Sequence, residues 1–309
     1  MVARALLVAV CLAMAGCSKA DSSAAAPRVL ATIGTTGSGD GEFVYPRAID
    51  IAPDGSVLVA DKTGRIQRFG AEGRFIKSWK MPEYENGKPV GMSVGPDGLL
   101  YVADTHYHRV VVFDLDGNEI RRWGRLGRGD GEFIYPTDVA FVGRGADMQV
   151  LVAEYGGNDR ISVFRPDGTF IRTVGAFGMD RGQLSRPEAM AVDEARGRVY
   201  VADACNHRIA VYNLGLEIQE YWGAGGTRQG ELRYPYGLAL MPDGSLVVCE
   251  FGNNRLQVFD SRGESVRICG HPGREPGQLA FPWGVAVDKT GRAFVVDAGN
   301  NRVQVWRLL

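Results

Sequence analysis

Little in this sequence invites a chemical reading at first sight. It has five cysteines among 309 residues, no CxxC pair and no zinc-type spacing, which excludes a disulfide-framed miniprotein and a thiolate metal site. Its four histidines, His106, His108, His207 and His271, are too few and too scattered to announce a metal cage. No apolar run approaches the ~18 residues of a membrane-spanning helix. Lys plus Arg number 35 against 36 Asp plus Glu, so no basic face marks a nucleic-acid binder. The densest basic run, Arg121, Arg122, Arg125 and Arg128, reads as a solvated edge. There is no P-loop or dinucleotide fingerprint, no hydrolytic nucleophile is expected, and no cofactor is called for.

Glycine is what the chain has in excess. Its 42 glycines are nearly twice the ~7% of average usage, without a collagen triplet, and imply many tight turns.

The segment MVARALLVAVCLAMAGC carries Arg4, then an apolar run from Ala5 to Ala15, the length of a signal-peptide core. Ala15-Gly16-Cys17 resembles a bacterial lipobox, with Met14 where leucine is usual. On that resemblance residues 1–16 are a signal, Cys17 is lipidated, and residues 17–27 are a small, polar tether. Ser18 then favours the outer membrane, with the protein facing the periplasm or cell surface. A cleaved signal with an incidental cysteine is the alternative. Of the remaining cysteines, Cys249 and Cys269 sit in strand-like runs and read as small buried hydrophobes, with a disulfide between them left open; the state of Cys205 is also open.

The phrase GDGEFVYP at 39–46 returns as GDGEFIYP at 129–136. Aligned on its proline, the chain shows six units, starting at Pro46, Pro89, Pro136, Pro187, Pro235 and Pro282. Each has an apolar run, a turn such as Asp54-Gly55, a second run such as VLVAD or LYVAD, a polar loop ending in arginine, and a third run such as VVVF. A fourth run closes the unit. Short Val-, Ile- and aromatic-rich runs bounded by Gly, Asp or Asn are antiparallel strands. Four strands per ~45-residue unit describe β-propeller blades. The predicted fold is therefore all-β, a six-bladed β-propeller over residues 28–309. The sixth unit ends after its third strand, and the run from Arg28 supplies the fourth, closing the ring.

These motifs, the valine-alanine-acid run and the Asn-x-Arg or Asn-Arg loop, resemble NHL-repeat six-bladed propellers, with the first and second units the weakest matches. The acids Asp61, Asp104, Glu154, Asp203, Glu250 and Asp297 each precede an arginine by a few residues, which points to a repeated structural ion pair. Phe43 and Phe133 are expected to plug between blades.

A site is expected on the upper face, where blade-to-blade crossings and the loops between second and third strands meet. The residues after the six prolines are expected at the channel mouth. They are Arg47, Val90, Thr137, Glu188, Tyr236 and Trp283. Tyr236 and Trp283 would form an aromatic wall, while Arg47 and Glu188 would orient charged groups. The resemblance also brings peptidyl-hydroxyglycine amidating lyases, whose zinc-binding histidines follow the equivalent prolines; none of the six positions here is histidine. Calcium-dependent lactonases use a Glu, Asn and Asp cage, to which only Glu188 would contribute. The function expected is a tethered scaffold binding a protein, peptide or small ligand through Arg47, Thr137, Glu188, Tyr236 and Trp283, with no metal. The alternative is a metal-dependent lyase or lactonase with a rearranged site.

Overall fold

The computed structural model describes residues 26–309; the signal, Cys17 and most of the tether lie outside the described residues. Six four-stranded antiparallel sheets form a ring of blades. The first blade comprises Ala48–Ile51, Val57–Ala60, Arg65–Phe69 and Phe75–Lys80, from the innermost strand outward. The innermost strands of the other five are Gly91–Val94, Tyr135–Val142, Pro187–Asp193, Pro235–Leu240 and Pro282–Val287. In the last blade Arg302–Arg307 pairs with Arg28–Ile33, Ile33 standing opposite Val303. The first strand thus completes the sixth blade.

Each blade is covered on both faces by its neighbours. This is why second strands such as Leu100–Asp104 and Leu246–Glu250 are buried throughout and read as unbroken apolar runs rather than alternating ones. Among the described residues the hydrophobic core divides into clusters between neighbouring blades. The innermost strands approach so closely that a Cβ at Gly237 or Gly284 would lie 2.6 or 2.7 Å from the next blade's backbone, at the carbonyls of Trp283 and Arg47.

The repeated phrase is masonry. Phe43 and Phe133 are fully buried, packing on Phe69 and Phe164 with centroids 5.6 and 5.5 Å apart. Glu42 and Glu132 fold back to accept the amides of Gly39 and Gly129. The buried acid after each second strand pairs with its arginine: Asp61–Arg65, Asp104–Arg109, Glu154–Arg160, Asp203–Arg208, Glu250–Arg255 and Asp297–Arg302, at 2.5–3.1 Å. In every blade but the second, that arginine also donates to carbonyls of the crossing, as Arg255 does to Thr227, Arg228 and Glu231. In the second blade MPEYENGKPV replaces the phrase, and Arg109 turns to Glu83 instead.

Cys249 and Cys269 are buried, and both are free, so the disulfide left open by the sequence is not formed. Cys205 is exposed.

Candidate functional site

Five of the six residues expected at the mouth converge there, Val90 among them. Arg47, Glu188, Tyr236 and Trp283 line a channel cavity of about 250 Å³, and Arg47, Glu188 and Trp283 also line an adjoining one of about 170 Å³ with Val90, Thr105, His106, Tyr155 and Arg186. Thr137 does not belong to either lining. It is fully buried and its hydroxyl donates to the Pro187 carbonyl at 2.6 Å, tying the third blade to the fourth.

The mouth is walled by aromatics held by the ring. Tyr236 meets Trp283 edge-on at 5.0 Å and stacks on Phe251 at 4.6 Å; Trp283 meets Tyr45 at 6.0 Å. On the opposite side Tyr155 stacks on Tyr135 at 5.1 Å. The two arginines occupy these faces. Arg47 lies 4.8 Å from the Trp283 ring centroid, and Arg186 lies 4.9 and 5.3 Å from those of Tyr155 and Tyr236. Arg186 also donates from Nε to the buried Glu188 carboxylate. Burial pushes the Glu188 carboxyl above its usual range, and the arginines, chiefly Arg186, partly restore its charge.

Below the mouth are two acids that sequence reasoning missed. Asp50 accepts the amides of Ile51 and Val94 at 2.8 and 2.6 Å, and Asp138 accepts that of Met190 at 2.7 Å. Burial raises Asp50 to about 6 and Asp138 to about 8, the latter helped by the neighbouring charges of Asp50 and Glu188. A signal was available: Asp138 stands where the other blades have Ala48, Gly91, Ala189, Gly237 and Gly284, and Asp50 where they have Ser93, Ala140, Ala191, Ala239 and Ala286.

A pH dependence follows. An unfolded aspartate titrates near ~4. Between there and about 8, folding therefore takes up a proton at Asp138. Its contribution falls as pH rises through that window and levels off above it. Thermal melts of Asp138→Asn are expected to show a gain over wild type at pH 8 that vanishes towards about pH 4.5. Parallel pH profiles would remove Asp138 as the titrating group.

Two of the four histidines serve the frame. His207 Nδ1 accepts the Tyr234 amide at 3.2 Å, the same clasp that Asn254 makes to Phe281 and Asn301 to Tyr45, both at 2.7 Å. His108 contacts the Ile134 carbonyl through Nδ1. Among the described residues no three His, Cys, Asp or Glu side chains are grouped to hold a metal ion. One short pattern, Gly91-Met92-Ser93-Val94-Gly95, does have nucleophile-elbow spacing, contrary to the expectation of none. Ser93 lies within an innermost strand, paired with Tyr101, and not on the strand-to-helix turn that the elbow requires.

The model of the NHL repeat matches residues 86–113, 184–212, 232–259 and 279–306, the second, fourth, fifth and sixth blades. This chain carries NHL repeats. The second blade is matched although its crossing departs from the pattern, and the third is not, where Gly145–Asp147 forms an extra turn between its first two strands. Among curated relatives, the NHL-repeat chain is 28% identical to Protein brain tumor of Drosophila melanogaster over 136 residues, 44% of this chain and 12% of that protein. It is 25% identical to the human E3 ubiquitin-protein ligase TRIM32 over 285 residues, 72% of this chain and 42% of that one. It is 32% identical to peptidylglycine alpha-amidating monooxygenase of Rattus norvegicus over 184 residues, 56% and 18%. The chain thus spans less than half the length of each. A streptogramin B lyase structure shares the fold with a TM-score of 0.63 at 15% identity, over 90% of this chain and 97% of that one.

Proposed function

We propose that this NHL-repeat propeller is an extracytoplasmic binding scaffold, tethered to a bacterial membrane through Cys17, whose upper face captures a protein or peptide. The observation that carries this reading is the cavity at the mouth, walled by Tyr155 and Trp283 and holding Arg47, Arg186 and a buried Glu188. Aromatic anchors beside a few desolvated charges are the make-up of a binding hot spot. The names of two relatives favour a polypeptide partner: an E3 ubiquitin-protein ligase acts on proteins, and a peptidylglycine alpha-amidating monooxygenase acts on peptidylglycine.

Partner capture by the full chain from membrane extracts, compared across variants, tests the site. Trp283→Ala is expected to abolish capture. Because Trp283 is only 9% exposed and packs on Tyr236 and Phe251, this variant also loses some stability. Arg47→Gln, on a half-buried side chain, is expected to weaken capture while keeping the melting temperature. Full capture by both variants rejects the assignment. Incorporation of labelled fatty acid, lost in Cys17→Ala, tests the tether.

A second reading, a metal-dependent lyase or lactonase with a rearranged site, draws on the similarity to the amidating monooxygenase. It requires a ligand set other than histidines after the prolines. Stoichiometric zinc or calcium in protein purified without chelator would favour it.

A further inference from the structure

We infer that Arg47 and Arg186 form a clamp for one carboxylate group, carried by a ligand whose apolar part lies against Trp283 and Tyr236. This rests on the mouth being the binding site and specifies the chemistry it selects.

The first observation is Arg47. Its guanidinium is oriented by the rings of Trp283 and Tyr45, yet the side chain makes no hydrogen bond or ion pair to any described residue, and its Nε is buried without a partner. Burial pulls its pKa down, a measure of how poorly its charge is compensated. A guanidinium nitrogen withdrawn from water is normally hydrogen-bonded. The Arg47 guanidinium faces a cavity.

Arg186 supplies the second arm. It borders the same cavity as Arg47, and only its Nε is engaged by Glu188, leaving the terminal nitrogens beside Tyr155 and Tyr236. Its backbone is set in the left-handed region at φ 57° immediately before Pro187, and its amide is held by Asp159 at 2.5 Å. That fixes where the side chain starts.

Charge decides the ligand class. The ionisable groups around the smaller cavity are Arg47, Arg186, Glu188, His106 and Tyr155. Burial pushes His106 towards its neutral form and raises the Tyr155 phenol, so two cations face one acid. A single negative charge balances the site, whereas a phosphate dianion would over-compensate beside Glu188. The volume of about 170 Å³ admits a small planar anion, and guanidinium forks match a carboxylate in two parallel hydrogen bonds. The carboxylate has two possible sources, a peptide C-terminus or a free small acid, sharing this chemistry.

Calorimetric titration of the full chain with N-acetylglycyl-L-phenylalanine, its C-terminal amide and 3-phenylpropionate tests the clamp. The dipeptide acid is expected to bind at least about tenfold more tightly than the amide, the loss of one charge-assisted hydrogen bond. Arg47→Gln is expected to erase that difference without changing the melting temperature. A dipeptide acid that outbinds phenylpropionate identifies a chain terminus; equal binding identifies a small acid. The clamp is overturned by equal affinity for acid and amide, by acid selectivity that survives Arg47→Gln, or by no saturable binding of either acid at millimolar concentration. If selectivity fails while Trp283→Ala still abolishes partner capture, the face is the site and the clamp is wrong. If selectivity holds while capture is unaffected, the clamp stands and the macromolecular partner is wrong.

Discussion

Deleting the chain through Gly34 is expected to lower the melting temperature by roughly 10 °C or more and to shift the protein towards oligomers on size exclusion. Arg28–Ile33 is the strand that joins the two ends of the ring. Its ladder to Arg302–Arg307 runs from Arg28 opposite Arg307 to Ile33 opposite Val303, and Ile33 is 6% exposed. A ladder of a few hydrogen bonds at ~0.5–1.5 kcal/mol each, with burial of one isoleucine at ~1.5–3 kcal/mol, amounts to about 5 kcal/mol. That is a large part of the ~5–15 kcal/mol by which a domain is stable, and for a chain of this size it is worth on the order of 10 °C. The truncation also leaves Arg302–Arg307 as an open edge, ready to pair with another copy. A synthetic peptide spanning residues 28–36, added in trans, is expected to restore both the melting temperature and the monomer. A truncated chain that melts like the wild type would mean that the ring does not depend on this closure.

The closure was legible in the sequence because a missing fourth strand at one end and an extra one at the other have the same pattern. The blades were legible for a related reason: six copies of one phrase average out local ambiguity, and strands buried on both faces leave unbroken apolar runs. The crossing loops were recognisable as frame, although their bonding was not, since the acid-to-arginine spacing says nothing of the carbonyls that the arginine also holds.

The mouth was only partly legible. Arg47, Glu188, Tyr236 and Trp283 were expected there because one position, the residue after the proline, was taken as the lining. That rule misplaces Thr137, whose hydroxyl is satisfied by the neighbouring blade. It also passes over Arg186, one residue earlier. The residues before the other prolines of the repeated crossing are Tyr45, Tyr135, Tyr234 and Phe281, so an arginine among aromatics was visible as a break in the column. Asp50 and Asp138 break columns of small residues in the same way. In a repeat protein the frame constrains each column to one kind of residue. A charged residue that departs from its column costs burial, and something other than the frame must account for it. What the columns do not give is which breaks meet in space, and that required the ring.

The buried acids that conform to their column separate the two roles most sharply. Glu250→Ala is expected to destabilise the protein by about 3–5 kcal/mol, the range for removing one partner of a buried ion pair. Its Oε1 accepts from Arg255 at 2.5 Å and Gln257 at 2.7 Å, and its Oε2 from the Arg233 amide at 3.1 Å and Asn253 at 2.6 Å. Arg255, itself 9% exposed, would be left with a charge balanced only by carbonyls. Asp104→Ala removes the equivalent residue of the second blade and is expected to cost much less. There Asp104 has one carboxylate oxygen without a partner, burial holds its pKa up at about 6, and Arg109 keeps a second acid in Glu83. Chemical denaturation of the two variants measures the difference directly. If these acids brace the crossings, the cost follows the number of donors each one holds, and Glu250→Ala is the more damaging by a wide margin. Equal costs would mean that the carboxylates matter for their charge alone, and the bracing role assigned to the repeated acid–arginine pairs would have to be given up.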